Sequence, residues 1–299
     1  MKRRVRLAIP FLLPAVLLYG LFFIYPGLKA FYVSLHEWSG FTANMKYVGV
    51  SNFKELFYDE IFRGALKNNI FLVIIGGILI IVLALFFANL IKQSRPRTEK
   101  LKTTAIFMPH LFNTVSVSIL WIFIYNPRWG LLNGILDAVG LGGLARPWLG
   151  DPKTIMWAIL LPLLWWSVGF YMLILKASMD RIPYTFFEAA QIDGASKWQM
   201  FRRLTLPLIS DVVLICAVLW TVSALKQFGL VFSMTGGGPS NASQLIAVYL
   251  FETAFEAPGG QGSILRMGYA TAMAVVLFFF VVAFSVIQLL LRRRESYEY

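Results

Sequence analysis

Runs of uncharged apolar residues, each about long enough to cross a bilayer, recur from one end of this 299-residue sequence to the other. A hydrocarbon core takes about 20 such residues of helix. Six stretches qualify as spans: about Leu7 to Ile24, Asn69 to Ile91, Thr104 to Tyr125, Ile155 to Lys176, Leu206 to Phe232 and Met267 to Leu291. Segments such as Ile70-Phe71-Leu72-Val73-Ile74-Ile75 are apolar at every position, which excludes the two-residue alternation of a membrane barrel. Helices remain, because nothing else this apolar satisfies its backbone in lipid. The composition agrees: 58% hydrophobic and 14% charged, where soluble domains carry about 25% charge.

The formal charge of +12 would suggest nucleic-acid binding in a soluble protein. Here the basic residues flank apolar runs, so they report membrane orientation and not a nucleic-acid partner. Lys2, Arg3, Arg4 and Arg6, then Lys92, Arg95, Arg97, Lys100 and Lys102, then Lys176, Arg181, Lys197, Arg202 and Arg203, and finally Arg292, Arg293 and Arg294 fall on one side. That side is expected to be cytoplasmic, with both termini inside. The first run lacks a small-residue cleavage site and continues through Tyr19, Phe22, Phe23 and Pro26, so it reads as a retained anchor. The segments 37–67, 126–153 and 236–266 then face outward. In the first, Asn52 followed by Glu55 predicts a capped short helix on the outer surface.

Chemistry is sparse. The single cysteine, Cys216, excludes an intrachain disulfide and a Cys-rich metal site. There are two histidines, His36 and His110, and no GxxxxGK[ST] phosphate loop, so no ATP hydrolysis by this chain and no cofactor are expected.

The most informative stretch is the cytoplasmic loop 180–206. Thr185 with Glu188 spells one capping box and Ser196 with Gln199 a second. Between them Asp193-Gly194 stops the first helix, glycine accepting the left-handed position without strain. Two short helices joined by a tight bend are predicted. Phe186, Phe187, Ile192, Trp198, Met200 and Phe201 make them too apolar for a solvated connector. Two readings fit the pattern: a pair resting on lipid headgroups, or a rigid knob that enters a groove on a partner protein.

Glu188-Ala189-Ala190, Asp193-Gly194-Ala195, Phe201 and Leu206-Pro207 resemble the EAA signature of ABC importer permeases. Thr235-Gly236-Gly237-Gly238-Pro239 with Asn241 resembles the T-G-G-G-P-x-N stretch of the carbohydrate importers. Asn126-Pro127, Gly130 and Asn133 resemble their N-P-x-x-G-x-x-N, and Tyr47-Val48-Gly49 with Asn52-Phe53 their outer segment before span two. The chain is thus similar over nearly its whole length to MalF-like or UgpA-like permease subunits.

That resemblance implies an all-α polytopic protein with six transmembrane helices and the type I importer (MetI-like) fold, in the inner membrane of a prokaryote. It implies a second related permease, two ATPase subunits and an extracytoplasmic solute-binding protein as partners. The coupling residues it implies are Phe187, Glu188, Ala189, Ala190, Ile192, Asp193, Gly194 and Ala195, with Glu188 doubling as a helix cap. The expected divisions are a tail and first span over 1–36, an outer segment over 37–68, a five-helix core over 69–291 carrying the loop at 180–206, and a tail over 292–299.

A solute pathway should show as polar or aromatic residues within spans. His110 and Thr114 stand at i and i+4, which would put them on one helix face. With Trp166, Ser167 and Phe170 of span four and Trp220, Ser223 and Gln227 of span five they are the pathway candidates. Aromatic faces stack on sugar rings and a few polar groups read hydroxyls. Lys226 is open to two readings, snorkelling outward or pairing with an anionic solute. The expected function is a permease for a sugar or sugar-like solute; the same fold with another cargo, such as glycerol phosphate, an amino acid or phosphate, is the alternative. An intramembrane enzyme would need clustered acids or histidines within spans, and Asp211 stands alone near the inner end of span five.

Overall fold

The computed structural model describes residues 12–42, 44–256 and 265–290. The basic clusters at residues 2–6 and 292–294, and the tail 292–299, lie outside the described residues. Thirteen helices and one two-residue hairpin suffice to describe what positions the site. In chain order they are α1 (Leu12–Ser34), β1 (His36–Glu37) and β2 (Lys46–Tyr47), α2 (Ser51–Tyr58), α3 (Glu60–Lys92), α4 (Pro96–Leu111), α5 (Thr114–Ile124), α6 (Leu131–Ala138), α7 (Ile155–Met179), α8 (Tyr184–Ile192), α9 (Lys197–Leu208), α10 (Ser210–Leu225), α11 (Gly229–Thr235), α12 (Ile246–Phe251) and α13 (Met267–Leu290).

Four of these, α1, α3, α7 and α13, are long and apolar enough to cross a bilayer. The count rises to six if the bent pairs α4–α5 and α9–α10 each form one span. The six predicted runs are therefore present, with corrections. The first ends at Ser34 instead of Ile24. The third is broken between Leu111 and Thr114 with a 97° change of direction. The fifth is bent by 70° after Leu208, and its α-helix stops at Leu225, with α11 a separate helix. Local chemistry explains these breaks. Pro109 cannot donate a helix hydrogen bond, and Asn113, in extended backbone, caps α5 by accepting from Val115 N at 2.9 Å.

The chain divides into two compact units, residues 1–63 with 249–279, and residues 64–248 with 280–299. In the first, β1 pairs antiparallel with β2, His36 opposite Tyr47. Asn52 does not cap α2, which begins one residue before it with no side-chain cap. It is buried, and its amide donates to Ser34 O at 2.8 Å and His36 O at 3.0 Å, tying α2 to the end of α1. Glu55 accepts both terminal nitrogens of Arg266 at 2.6 and 2.5 Å. Asp59 accepts the hydroxyls of Tyr249 (2.7 Å) and Tyr269 (2.6 Å) and the amides of Ile61 and Phe62. Burial of Asp59 disfavours its charge, but those four hydrogen bonds outweigh burial and hold the carboxyl below its ordinary value.

In the second unit α7 is the buried core, with 67% of its most apolar window buried; the corresponding share of α3 is 28%. On α3 the buried side chains Ile80, Ala84, Ala88 and Ile91 recur at helical spacing. Alanine at two of them lets helix backbones approach closely. Gly169 of α7 does the same for α4, since a Cβ there would meet the Phe107 Cα at 2.6 Å.

Candidate functional site

The break between α4 and α5 frees backbone carbonyls from helical hydrogen bonding, and such breaks survive in membranes only where protein or a cavity satisfies them. Here Phe112 O accepts the Trp166 indole N–H at 3.0 Å. Trp166 O receives His110 Nδ1 at 3.2 Å. Because a carbonyl only accepts, that bond places a proton on Nδ1, and in the tautomer protonated there alone Nε2 is an acceptor. The imidazole lies 4.5 Å from the Trp166 ring and is stacked 5.2 Å from Phe170.

Beside this break lies a cavity of about 220 Å³ lined by His110, Leu163, Trp166, Ser167, Phe170, Tyr171, Trp220, Ser223, Ala224 and Gln227. Seven of the eight pathway residues named from sequence line it together. The eighth does not. The break turns α5 away, so His110 and Thr114 share no helix face, and Thr114 packs where a Cβ on Gly229 would come within 2.9 Å of its Oγ1. The lining holds no Lys, Arg, Asp or Glu, and Lys226 is exposed outside it.

Trp220 plays a different part from the one its composition suggests. It is 2% exposed, and its indole N–H donates to Leu72 O at 3.0 Å. Leu72 begins a π-helical turn, Leu72–Gly76, in α3. Gly76 and Gly77 admit the ring, a Cβ on Gly76 falling 2.6 Å from Trp220 Cζ2. Both indole N–H groups are thus committed to backbone, and Trp166 and Trp220 offer the cavity only ring surface. Polar contact falls to His110 Nε2, Ser167, Ser223 and Gln227, with the buried Tyr171.

Above the cavity, Asn68 and Asn69 do work that sequence reading missed. Asn69, fully buried, donates to Ala224 O (3.1 Å) and accepts from Ile246 N (3.0 Å), joining the end of α10 to the start of α12. Asn68 donates to Ala242 O and Gln244 O at 3.0 and 2.9 Å. They hold the T-G-G-G-P-x-N stretch, in which Gly236 and Gly237 adopt φ of +52° and +82° and Ser243 bridges Thr235 and Gly238. The available signal was two adjacent amides at the mouth of an apolar run. The N-P-x-x-G-x-x-N stretch is likewise a staple: Asn133 donates to Pro127 O and Arg146 O and accepts the Trp148 indole N–H at 2.8 Å.

The helix pair of 180–206 is present. Its first capping box is not: α8 starts at Tyr184 after Pro183, with no side-chain cap, so Thr185 and Glu188 are inside the helix. The second forms as expected, Ser196 Oγ accepting Gln199 N and Gln199 Oε1 accepting Ser196 N. Gly194 has φ +75°, with Ala195 N bonded to Ala190 O at 2.9 Å and Gly194 N to Gln191 O at 3.0 Å. This is a Schellman closure. Glu188, Ala189, Asp193 and Gly194 are exposed, and Ile192 is 86% exposed. Ala190, Asp193, Gly194 and Ala195 line a hollow inside the bend. Phe187 points elsewhere: its ring lies 4.9 Å under the Lys92 ammonium.

Residues 101–297 match the family described as binding-protein-dependent transport system inner membrane component. The probable ABC transporter permease protein YurN of Bacillus subtilis is 34% identical over 280 residues, 93% of each chain. The diacetylchitobiose uptake system permease protein NgcF of Streptomyces coelicolor is 31% identical over 97% of this chain and 83% of its own. Among solved structures, a bacterial alginate ABC transporter in complex with alginate pentasaccharide-bound periplasmic protein superposes with a TM-score of 0.85 over 98% of this chain and 96% of its own. At 22% identity that likeness concerns the fold.

Proposed function

We propose, from the premise that this chain belongs to the family of binding-protein-dependent transport system inner membrane components, that it forms half of the translocation pathway of an ATP-driven importer for a neutral sugar or oligosaccharide. The chain is a multi-pass inner-membrane transport component, not an enzyme. The observation that carries the reading is the convergence of aromatic faces and uncharged polar groups from three spans on one cavity at a helix break. Discontinuous helices beside a cavity are where transporters bind cargo. A lining with no charged side chain favours a neutral polyol over glycerol phosphate, phosphate or an amino acid, each of which would leave a desolvated charge unpaired.

In this reading the sugar ring stacks on Trp166 and Phe170 while His110 Nε2, Ser167 and Gln227 exchange hydrogen bonds with its hydroxyls. A second related permease completes the pathway, and an extracytoplasmic binding protein delivers the solute. Both termini and the α8–α9 pair face the cytoplasm. There Glu188, Ala189 and Ile192, with Phe186 and Trp198 beside them, dock into one of two ATPase subunits, and the closed bend at Gly194 transmits its movement. An ATPase can bias the cavity's direction only by contacting the two states differently, and a stiff helix pair delivers that difference where a loop would absorb it. The NgcF name, a diacetylchitobiose uptake permease, supports a saccharide cargo.

The test is uptake of radiolabelled neutral disaccharides into proteoliposomes containing the full transporter. Trp166→Ala removes a stacking face worth about 0.5–1.5 kcal/mol and should lower uptake up to about tenfold. Wild-type uptake by both Trp166→Ala and Gln227→Ala would remove this cavity from the pathway.

A further inference from the structure

A second cavity, of about 200 Å³, lies between the cytoplasmic end of α3 and the α8–α9 pair. Its lining includes Lys92 and Lys197, the amides of Asn89, Gln93 and Gln191, and the ring of Phe187, and it contains no Asp or Glu. The volume falls below the roughly 300–1,000 Å³ of a pocket for a drug-sized ligand and suits a small headgroup.

Neither ammonium makes an ion pair among the described residues, and Asp180, the carboxylate that attracts Lys92, is itself bonded to Lys176. Lys176 engages both Glu99 and Asp180, at 2.7 Å each. Lys92 donates to Met179 O and sits over Phe187, which uses one of its three N–H donors and one face. Lys197 makes no ion pair among the described residues, and no side-chain hydrogen bond of Asn89, Gln93 or Gln191 is present among them. Two cationic side chains therefore line one hollow together with spare amide donors. An oxyanion bearing several acceptor oxygens would take up the unused donors of both side chains and of the amides. The apolar wall at Phe187 suits the carbon skeleton of an ester better than it suits a bare inorganic ion.

We propose that this cavity binds a phosphate ester, seated behind the coupling helix and bridging Lys92 of α3 to Lys197 of α9. The chemistry is shared by an inner-leaflet phospholipid headgroup and by a soluble phosphorylated metabolite. Occupancy would brace the base of the helix pair while leaving the exposed side chains Glu188 and Ile192 free. The site does not depend on the cargo or on ATPase docking, so it stands or falls apart from the transport reading.

The experiment is a native mass-spectrometric titration of the full-length chain, purified in detergent with its companion subunits. The probes are phosphatidylglycerol, diacylglycerol with the same acyl chains, and glycerol 1-phosphate. Phosphatidylglycerol should bind more tightly than diacylglycerol. Lys197→Gln, at an exposed side chain with no partner to lose, should weaken that binding about tenfold, as for loss of one charge-assisted contact. Lys100→Gln, on the exposed basic surface outside the cavity, should leave it unchanged. Competition by glycerol 1-phosphate assigns the site to a soluble ester, and its failure to compete assigns it to lipid; either supports the proposal. Equal binding of phosphatidylglycerol and diacylglycerol, or an effect of Lys197→Gln no larger than that of Lys100→Gln, overturns it.

Discussion

The glycine loop at 235–244 and the helix pair of 180–206 are both short, irregular stretches of the same unit, yet they are held in opposite ways. The glycine loop depends on residues more than 170 positions away, Asn68 and Asn69, whose amides satisfy its carbonyls and the ends of α10 and α12. The helix pair is closed by its own neighbours, through the Schellman bend at Gly194 and the Ser196–Gln199 box. It leaves Ile192, Tyr184 and Trp198 at 86%, 67% and 67% exposed. A loop stapled from outside belongs to the frame around the cavity. A motif rigid within itself but bare on its surface has the properties of a lever that a partner grips.

That contrast breaks most easily at Asn69. Asn69→Leu strands the buried Ile246 N–H, at about 1–3 kcal/mol, and removes the amide's bond to Ala224 O. It should lower the thermal midpoint of the purified chain more than any change in the helix pair. An unchanged midpoint would mean the loop is not stapled from α3. Next comes Gly194→Val, which forces a β-branched residue to positive φ at about 1–2 kcal/mol. Because the bend is exposed, insertion and thermal midpoint should hold while solute-stimulated ATPase activity falls about tenfold. Normal uptake by that variant would mean the bend carries no force. Ser196→Ala removes one cap, about 1 kcal/mol, and should give a smaller loss of coupling in the same assay.

The smallest effect at neutral pH concerns the first unit. Asp59 has its folded-state pKa lowered, so its contribution is complete above the unfolded carboxylate value of about 3.9 and is lost as pH falls through the folded value. Stability should be flat from pH 8 to 5 and decline only in more acidic solution. Asp59→Asn should flatten that acid limb, and an acid limb identical to wild type would assign it to other carboxylates.

The meeting of most candidate residues was legible in the sequence. Seven of eight line one cavity, because polar and aromatic side chains inside apolar spans have few tolerable places to be. Thr114 was misplaced because helical periodicity was carried across Pro109 and Asn113, where the helix ends. Thr185–Glu188 was misread as a cap because Pro183 lets α8 begin two residues earlier. Asn52 resembled a cap and is instead a long-range clamp on Ser34 and His36.

The number of apolar runs, their helical class and the closed bend at Gly194 depend on neighbours within a few positions, so chain order alone was enough to state them. The commitment of the Trp220 and Trp166 N–H groups, the grip of Asn69 on α10 and α12, and the convergence of Lys92 with Lys197 depend on partners 54 to 177 positions distant or on separate helices meeting. Periodicity says which face of a helix is apolar but not which residue on another helix will meet it, and that pairing emerges only when the helices pack.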